Sequence, residues 1–166
     1  CIDSLEELPK RRHPRLKAFD YTQGWYFVTV CTAGKRKILC DVVGRGALTP
    51  PQVRLSLVGR VVEKHILRTN TLYPTATIDK YVIMPNHVHL IIAIHSPDGG
   101  VRAPRPTHLS SVVRSIKAMV TREIGHTIWQ TSFYDHVIRS EADYLRIWQY
   151  MDENPVRWTE DEYYFE

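Results

Sequence analysis

The sequence predicts an α+β fold built on a central antiparallel sheet, and three observations lead there. Segments rich in β-branched and aromatic residues alternate with amphipathic stretches of helical length, in the order strand, helix, two strands, helix, strand, helix. The β-α-β-β-α-β part of that series is the ferredoxin-like split pattern, an antiparallel sheet with helices on one face. The two middle strands meet across Pro85-Asn86, a pair that interrupts ladder pairing and marks a turn.

Each element has its own signal. "GWYFVTVCT" (Gly24–Thr32) is a strand by its aromatic and β-branched content, and "KRKILCDVV" continues as a short second strand or hairpin. A loop, "GRGALTPPQ", leads into "LTPPQVRLSLVGRVVEKHILRT", where Val53, Leu57, Val61, Val62 and Ile66 recur at helical spacing. "ATIDKYVIM" (Ala76–Met84) and "HVHLIIAI" (His87–Ile94) form a hairpin, followed by a loop rich in glycine and proline over 95–108. A helix from Leu109 to Ile124 carries its apolar stripe on Leu109, Val112, Val113, Ile116, Met119, Val120 and Ile124. "SFYDHVIR" (Ser132–Arg139) is a strand. In the last helix Ser140 and Asp143 have capping-box spacing, and Pro155 closes it.

The 166 residues suit one domain. It divides into a basic arm over 1–20, a single domain over 21–158 and an acidic tail over 159–166. No apolar run has the length of a membrane span, and three cysteines without a Cys-x-x-Cys argue against a disulfide framework or a thiolate zinc site. These features predict a cytoplasmic protein. The net charge of +4 is unevenly spread: "EDEYYFE" at the end holds four acids, and the remainder carries 22 bases against 14 acids. "KRRHPRLK" places Lys10, Arg11, Arg12, Arg15 and Lys17 in eight positions, a cluster suited to phosphate or to plain solvation.

Chemistry concentrates in "YVIMPNHVHLIIAI" (Tyr81–Ile94). Residues two apart on a strand share a face, so His87 and His89 project together, opposite Val88, Leu90 and Ile92. Two convergent imidazoles suit a divalent metal, although such a pair is as common in a structural role. In the last helix Tyr150 and Asn154 are four residues apart and lie above one another. Beside a metal they read as a nucleophile and a neutral oxygen ligand; otherwise they are a core tyrosine and a polar helix end.

Taken together, "GWYFVTVCT", "YVIMPNHVHLII", "SSVVRSIKAMVTREI" and "IWQTSFYDHVIRSEADYLRIWQYMDENPVRW" resemble the single-tyrosine HUH transposases, and among them the REP-associated tyrosine transposases, over about residues 14–158. The resemblance implies an HUH endonuclease-like fold and a bacterial, nucleoid-associated protein. It implies that His87 and His89 bind Mg²⁺ or Mn²⁺, that Asn154 is the amide-bearing third ligand, and that Tyr150 is the nucleophile ahead of Tyr144 and Tyr134. His136 is assigned a structural or DNA-contact role. Asp152-Glu153 departs from the family pattern, and those acids, if they face the site, would bind metal or repel DNA.

The implied reaction is cleavage and rejoining of single-stranded DNA at hairpin-forming repeats through a 5′-phosphotyrosine, by a monomer or homodimer. The basic arm and Arg139 would contact backbone, and Trp25, Trp129 and Trp158 are candidate platforms for bases, Trp25 being as suited to a core. Two other readings compete: a catalytically inactive protein that binds hairpin DNA, and a zinc-dependent hydrolase that activates water without a tyrosine.

Overall fold

The computed structural model describes residues 24–43, 52–95 and 107–158; the basic arm with Lys10, Arg11, Arg12, Arg15 and Lys17, and the acidic tail, lie outside them. The elements are β1 (Gly24–Cys31), β2 (Cys40–Val43), β3 (Gln52–Leu55), α1 (Leu57–Leu72), β4 (Ala76–Met84), β5 (His87–Ile94), α2 (Leu109–Ile124), β6 (Tyr134–Ile138) and α3 (Glu141–Glu153), with a 3-10 turn at Ala33–Lys35. None of the helices described is long and apolar enough to cross a membrane.

Four strands form one antiparallel sheet in the order β4-β5-β1-β6, the arrangement expected of the split pattern. The histidine-bearing strand β5 is therefore held from both sides, by β4 and β1, and cannot slip without turning every side chain to the wrong face. β2 and β3 make a separate two-stranded hairpin between β1 and α1. Here the structure corrects the sequence reading, which began the helix upstream of Val53. Val53 and Leu55 alternate with exposed Arg54 on a strand, and the helix starts only after Ser56, whose Oγ accepts from Gly59 N–H at 3.0 Å. Val53 and Leu57 fit helical spacing by coincidence, a known ambiguity of short apolar runs.

The sheet is buried on both faces. On one, α1 and α2 pack Val62, Ile66, Val112, Val113, Ile116 and Val120 against Tyr26, Val28, Val30, Val88, Leu90 and Ile92. The opposite face is covered by α3, which brings Ile147, Tyr150 and Met151 onto Phe27 and Ile91. Two helices thus lie on one face as the split pattern requires, and the third closes the other. Ser140 caps α3, accepting from Asp143 N–H at 3.1 Å, and His136 on β6 is joined to Asp143 through Nε2 at 2.8 Å. Burial pulls the Asp143 carboxyl upward, yet the hydrogen bonds from His136 and Arg146 outweigh it and hold its pKa below the usual carboxylate range.

Candidate functional site

The cross-strand register assembles the site. Thr29 lies opposite His89 and Cys31 opposite His87, so this stretch of β1 and both imidazoles share the face that α3 covers. Both histidines are fully buried, with ring centroids 4.6 Å apart. Each ring is fixed through Nδ1. Thr29 Oγ1 is 2.8 Å from His89 Nδ1, and Asn86 Oδ1 is 2.8 Å from His87 Nδ1. An amide oxygen only accepts, so His87 Nδ1 is the donor in this pair, which leaves Nε2 as the nitrogen suited to a ligand role. Thr29 can impose the same tautomer on His89. This is the arrangement in which a second group orients an imidazole ligand and raises its basicity.

The third side of the site comes from α3 and its exit. The Tyr150 ring lies 5.4 Å from His89 and 6.1 Å from Phe27, while Phe27 itself stacks on His89 at 5.1 Å. Eight residues later, Trp158 lies 5.9 Å from His87. Buried Asn154 falls midway along the chain between the residue that meets His89 and the residue that meets His87. Tyr150, His87 and His89 are thus brought onto one surface, with Asn154 one helical turn beyond Tyr150. The donor atoms on offer are two imidazole nitrogens and one amide oxygen, a set that fits a hard or borderline divalent ion and leaves coordination positions open. Among the described residues no group of three or more histidines, cysteines or carboxylates could hold a metal. Cys31 and Cys40 are both buried.

The competing tyrosines differ from Tyr150. Tyr144 donates to Asp79 Oδ2 at 2.5 Å, and that bond to a carboxylate, with some burial, pushes its pKa up to about 12. Tyr134 is half-buried on β6, beside Cys31, Met84 and Trp158. The acids that depart from the family pattern are occupied elsewhere. Asp152 pairs with Lys80 at 3.4 Å, and Glu153 pairs with Arg157 at 3.6 Å.

Of the residues expected to meet DNA, Trp25 and Arg139 are both exposed and line one open cavity of about 490 Å³ with Tyr144, whose ring meets the Trp25 ring edge-on at 5.5 Å. Trp129 and Trp158 are corrected: both are buried and cannot serve as stacking platforms. Trp129 pairs with Thr32 at the end of the sheet, and Trp158 packs against His87. Sequence reasoning missed Phe27, Thr29 and Asn86 as parts of the site. The alternation of β1 puts Phe27 and Thr29 on one face, but only the register with β5 reveals that this face is the histidines'.

No family profile matches the chain. It is 34% identical over 173 residues to an uncharacterised protein of Haemophilus influenzae, covering 93% of each. Over 81 residues it is 35% identical to the REP-associated tyrosine transposase of Escherichia coli K12, a match spanning 48% of this chain and 44% of that protein. Among solved structures, a REP-associated tyrosine transposase bound to a REP hairpin shares the fold, with a TM-score of 0.60 and 22% identity over 88% of this chain and 74% of that one.

Proposed function

We propose that the chain, similar over about half its length to a REP-associated tyrosine transposase and sharing the fold of another, is a transposase-like DNA-processing enzyme that cleaves and rejoins single-stranded DNA at hairpin-forming repeats, with Tyr150 as nucleophile. The observation that carries this reading is the Tyr150 ring 5.4 Å from the His89 imidazole, which itself pairs with His87 on a central strand held from both sides. A divalent cation, Mg²⁺ or Mn²⁺, held by Nε2 of His87, Nε2 of His89 and Oδ1 of Asn154 would act as a Lewis acid on the scissile phosphate.

The chain's own residues do the rest. Tyr150 Oη gives up its phenolic proton and attacks phosphorus, a Tyr–O–P bond forms, and the P–O3′ bond breaks to leave a 3′ oxyanion that takes up a proton and becomes a 3′-OH. The phosphotyrosine conserves the linkage, so a second 3′-OH can displace Tyr150 and join strands without another energy source. Thr29 and Asn86 hold the imidazoles in the ligand tautomer, and Phe27 and Trp158 wall the rings from water. Trp25 and Arg139 offer a base platform beside a guanidinium at the opening near Tyr144. The hairpin seen with the structural relative supports a hairpin substrate here. One tyrosine serves one cleavage at a time, so full exchange takes two turnovers or two chains. The expected compartment is the bacterial cytoplasm, at the nucleoid.

The test is incubation of the protein with labelled single-stranded hairpin DNA and Mn²⁺, beside Tyr150→Phe, Tyr144→Phe and His87→Ala. A denaturant-resistant protein–DNA adduct that survives Tyr144→Phe and disappears in the other two is expected. Cleavage that persists in Tyr150→Phe would replace the proposal with a water-activating hydrolase. Binding with no cleavage by the unaltered protein would leave a hairpin-binding protein without this chemistry.

A further inference from the structure

The helix that carries Tyr150 is pinned to the sheet, at its first turn, by a buried pair. His136 on β6 meets Asp143 of α3 at 2.8 Å, with side chains only 10% and 11% exposed. Both oxygens of the Asp143 carboxylate are engaged: Oδ2 faces His136 Nε2, and Oδ1 accepts from Arg146 Nη2 at 2.9 Å. An ionised carboxylate only accepts, so His136 Nε2 is the donor. Arg146 belongs to the same helix and steadies the carboxylate, whereas His136 joins it to the sheet. The backbone of Asp143 is held as well, through its N–H to the Ser140 cap.

This linkage is aligned with the candidate site in two directions. Along α3, Asp143 and Tyr150 are seven residues apart, two turns or about 10 Å, which puts both on the side of the helix that meets the sheet. Across the sheet, His136 is the register partner of Phe27, and residues directly opposite on paired strands share a face. Phe27 in turn stacks on His89 at 5.1 Å and meets Tyr150 at 6.1 Å. His136 therefore stands on the imidazoles' face, one strand from the ring that touches both Tyr150 and His89. The other polar ties of α3 to the sheet are more exposed. Tyr144 donates to Asp79 at the surface, and Asp152, itself 60% exposed, pairs with Lys80 at 3.4 Å. Such surface ties contribute little.

We infer that His136 is a positioning residue for the nucleophile: through Asp143 it fixes where α3 rests on the sheet, and so where Tyr150 Oη stands relative to His87 and His89. This inference rests on the proposed function. A slip of α3 by one residue turns it by about 100° and moves it by about 1.5 Å. A misplacement of about 1 Å is enough to slow a reaction about a hundredfold. In this role His136 touches neither DNA nor metal, so it governs the rate of attack and leaves both binding steps unchanged.

The test measures single-turnover adduct formation on labelled single-stranded hairpin DNA with Mn²⁺, over a range of DNA concentrations. It compares the unaltered protein with His136→Gln, His136→Leu, His136→Asn and Ile147→Val, at a temperature where circular dichroism shows each to be folded. A glutamine amide can donate to Asp143 from the place of Nε2, whereas leucine has no donor and the asparagine amide is too short. Ile147→Val loosens the packing of the same helix and keeps the His136–Asp143 bond. His136→Leu and His136→Asn should slow the maximal rate about 10–100-fold, with the half-saturating DNA concentration and the Mn²⁺ affinity unchanged. His136→Gln should recover most of that rate, and Ile147→Val should keep it. If the leucine variant does not fold, the asparagine and glutamine pair gives the same comparison. Equal rates in the glutamine and asparagine variants, a loss confined to DNA or Mn²⁺ binding, or an equal slowing in Ile147→Val would overturn the inference while leaving the proposed function standing. Absence of an adduct in the unaltered protein would refute the proposed function, and this inference with it.

Discussion

Replacing Gly59 with alanine should destabilise the protein, although the same change in an ordinary helix interior stabilises by about 1 kcal/mol. Gly59 lies in the first turn of α1, where the helix crosses the chain leading into β2. A Cβ at this position would sit 2.0 Å from the backbone oxygen of Leu39, a full ångström inside the 3.0 Å that real Cβ atoms respect. Leu39 O has no freedom to retreat: it accepts from Ser56 N at 3.0 Å and from Ser56 Oγ at 3.0 Å. Shifting it disturbs the N-cap, worth about 1 kcal/mol, and adds overpacking strain of about 1–3 kcal/mol. Set against the helical gain, the net loss is about 1–3 kcal/mol, or a Tm lowered by roughly 3–10 °C for a chain of this size. Thermal and urea denaturation followed by circular dichroism read it directly. A Gly59→Ala variant as stable as the parent would refute the close crossing of α1 over Leu39.

Two further outcomes are expected. Thr29→Val removes the hydroxyl at His89 Nδ1 while nearly conserving volume, so Mn²⁺ affinity by calorimetry should fall about 10–100-fold; unchanged affinity would mean that Thr29 does not orient the ring. Asp143 has a folded-state pKa below its unfolded value, so its contribution is present above the ordinary carboxylate pKa and is lost as pH falls through the lowered one. Asp143→Asn should therefore lose stability at neutral pH and flatten this acid-range dependence in denaturation curves, whereas a slope equal to the parent's would remove Asp143 as its source.

What could be read in the sequence was set by interaction range. Alternation along β5 and the Pro85-Asn86 turn are local, so the shared face of His87 and His89 was legible, as were the spans of β4, β5 and α2. The four-residue β3 was not, because it is too short to show a period and abuts a genuine helix. Burial of Trp129 and Trp158 depends on segments that meet only in the folded chain, and composition alone favours exposure for neither outcome. The same holds for Phe27 and Thr29. Their place in the site follows from strand register, a pairing between residues about sixty positions apart.

The two faces of the sheet are held with very different strength. Among the described residues α1 and α2 share an extensive apolar core, whereas α3 sets Ile147, Tyr150 and Met151 on buried Phe27 and Ile91, flanked by half-buried Val82 and Ile138, with polar ties at Asp143, Tyr144 and Asp152. Local openings in proteins follow such differences in buried contact, each cooperative unit having its own free energy of release. Lifting α3 is accordingly a smaller event than melting the sheet. It would carry Tyr150 away while leaving the imidazole pair fixed on β5, so that nucleophile and imidazoles belong to separable units of stability.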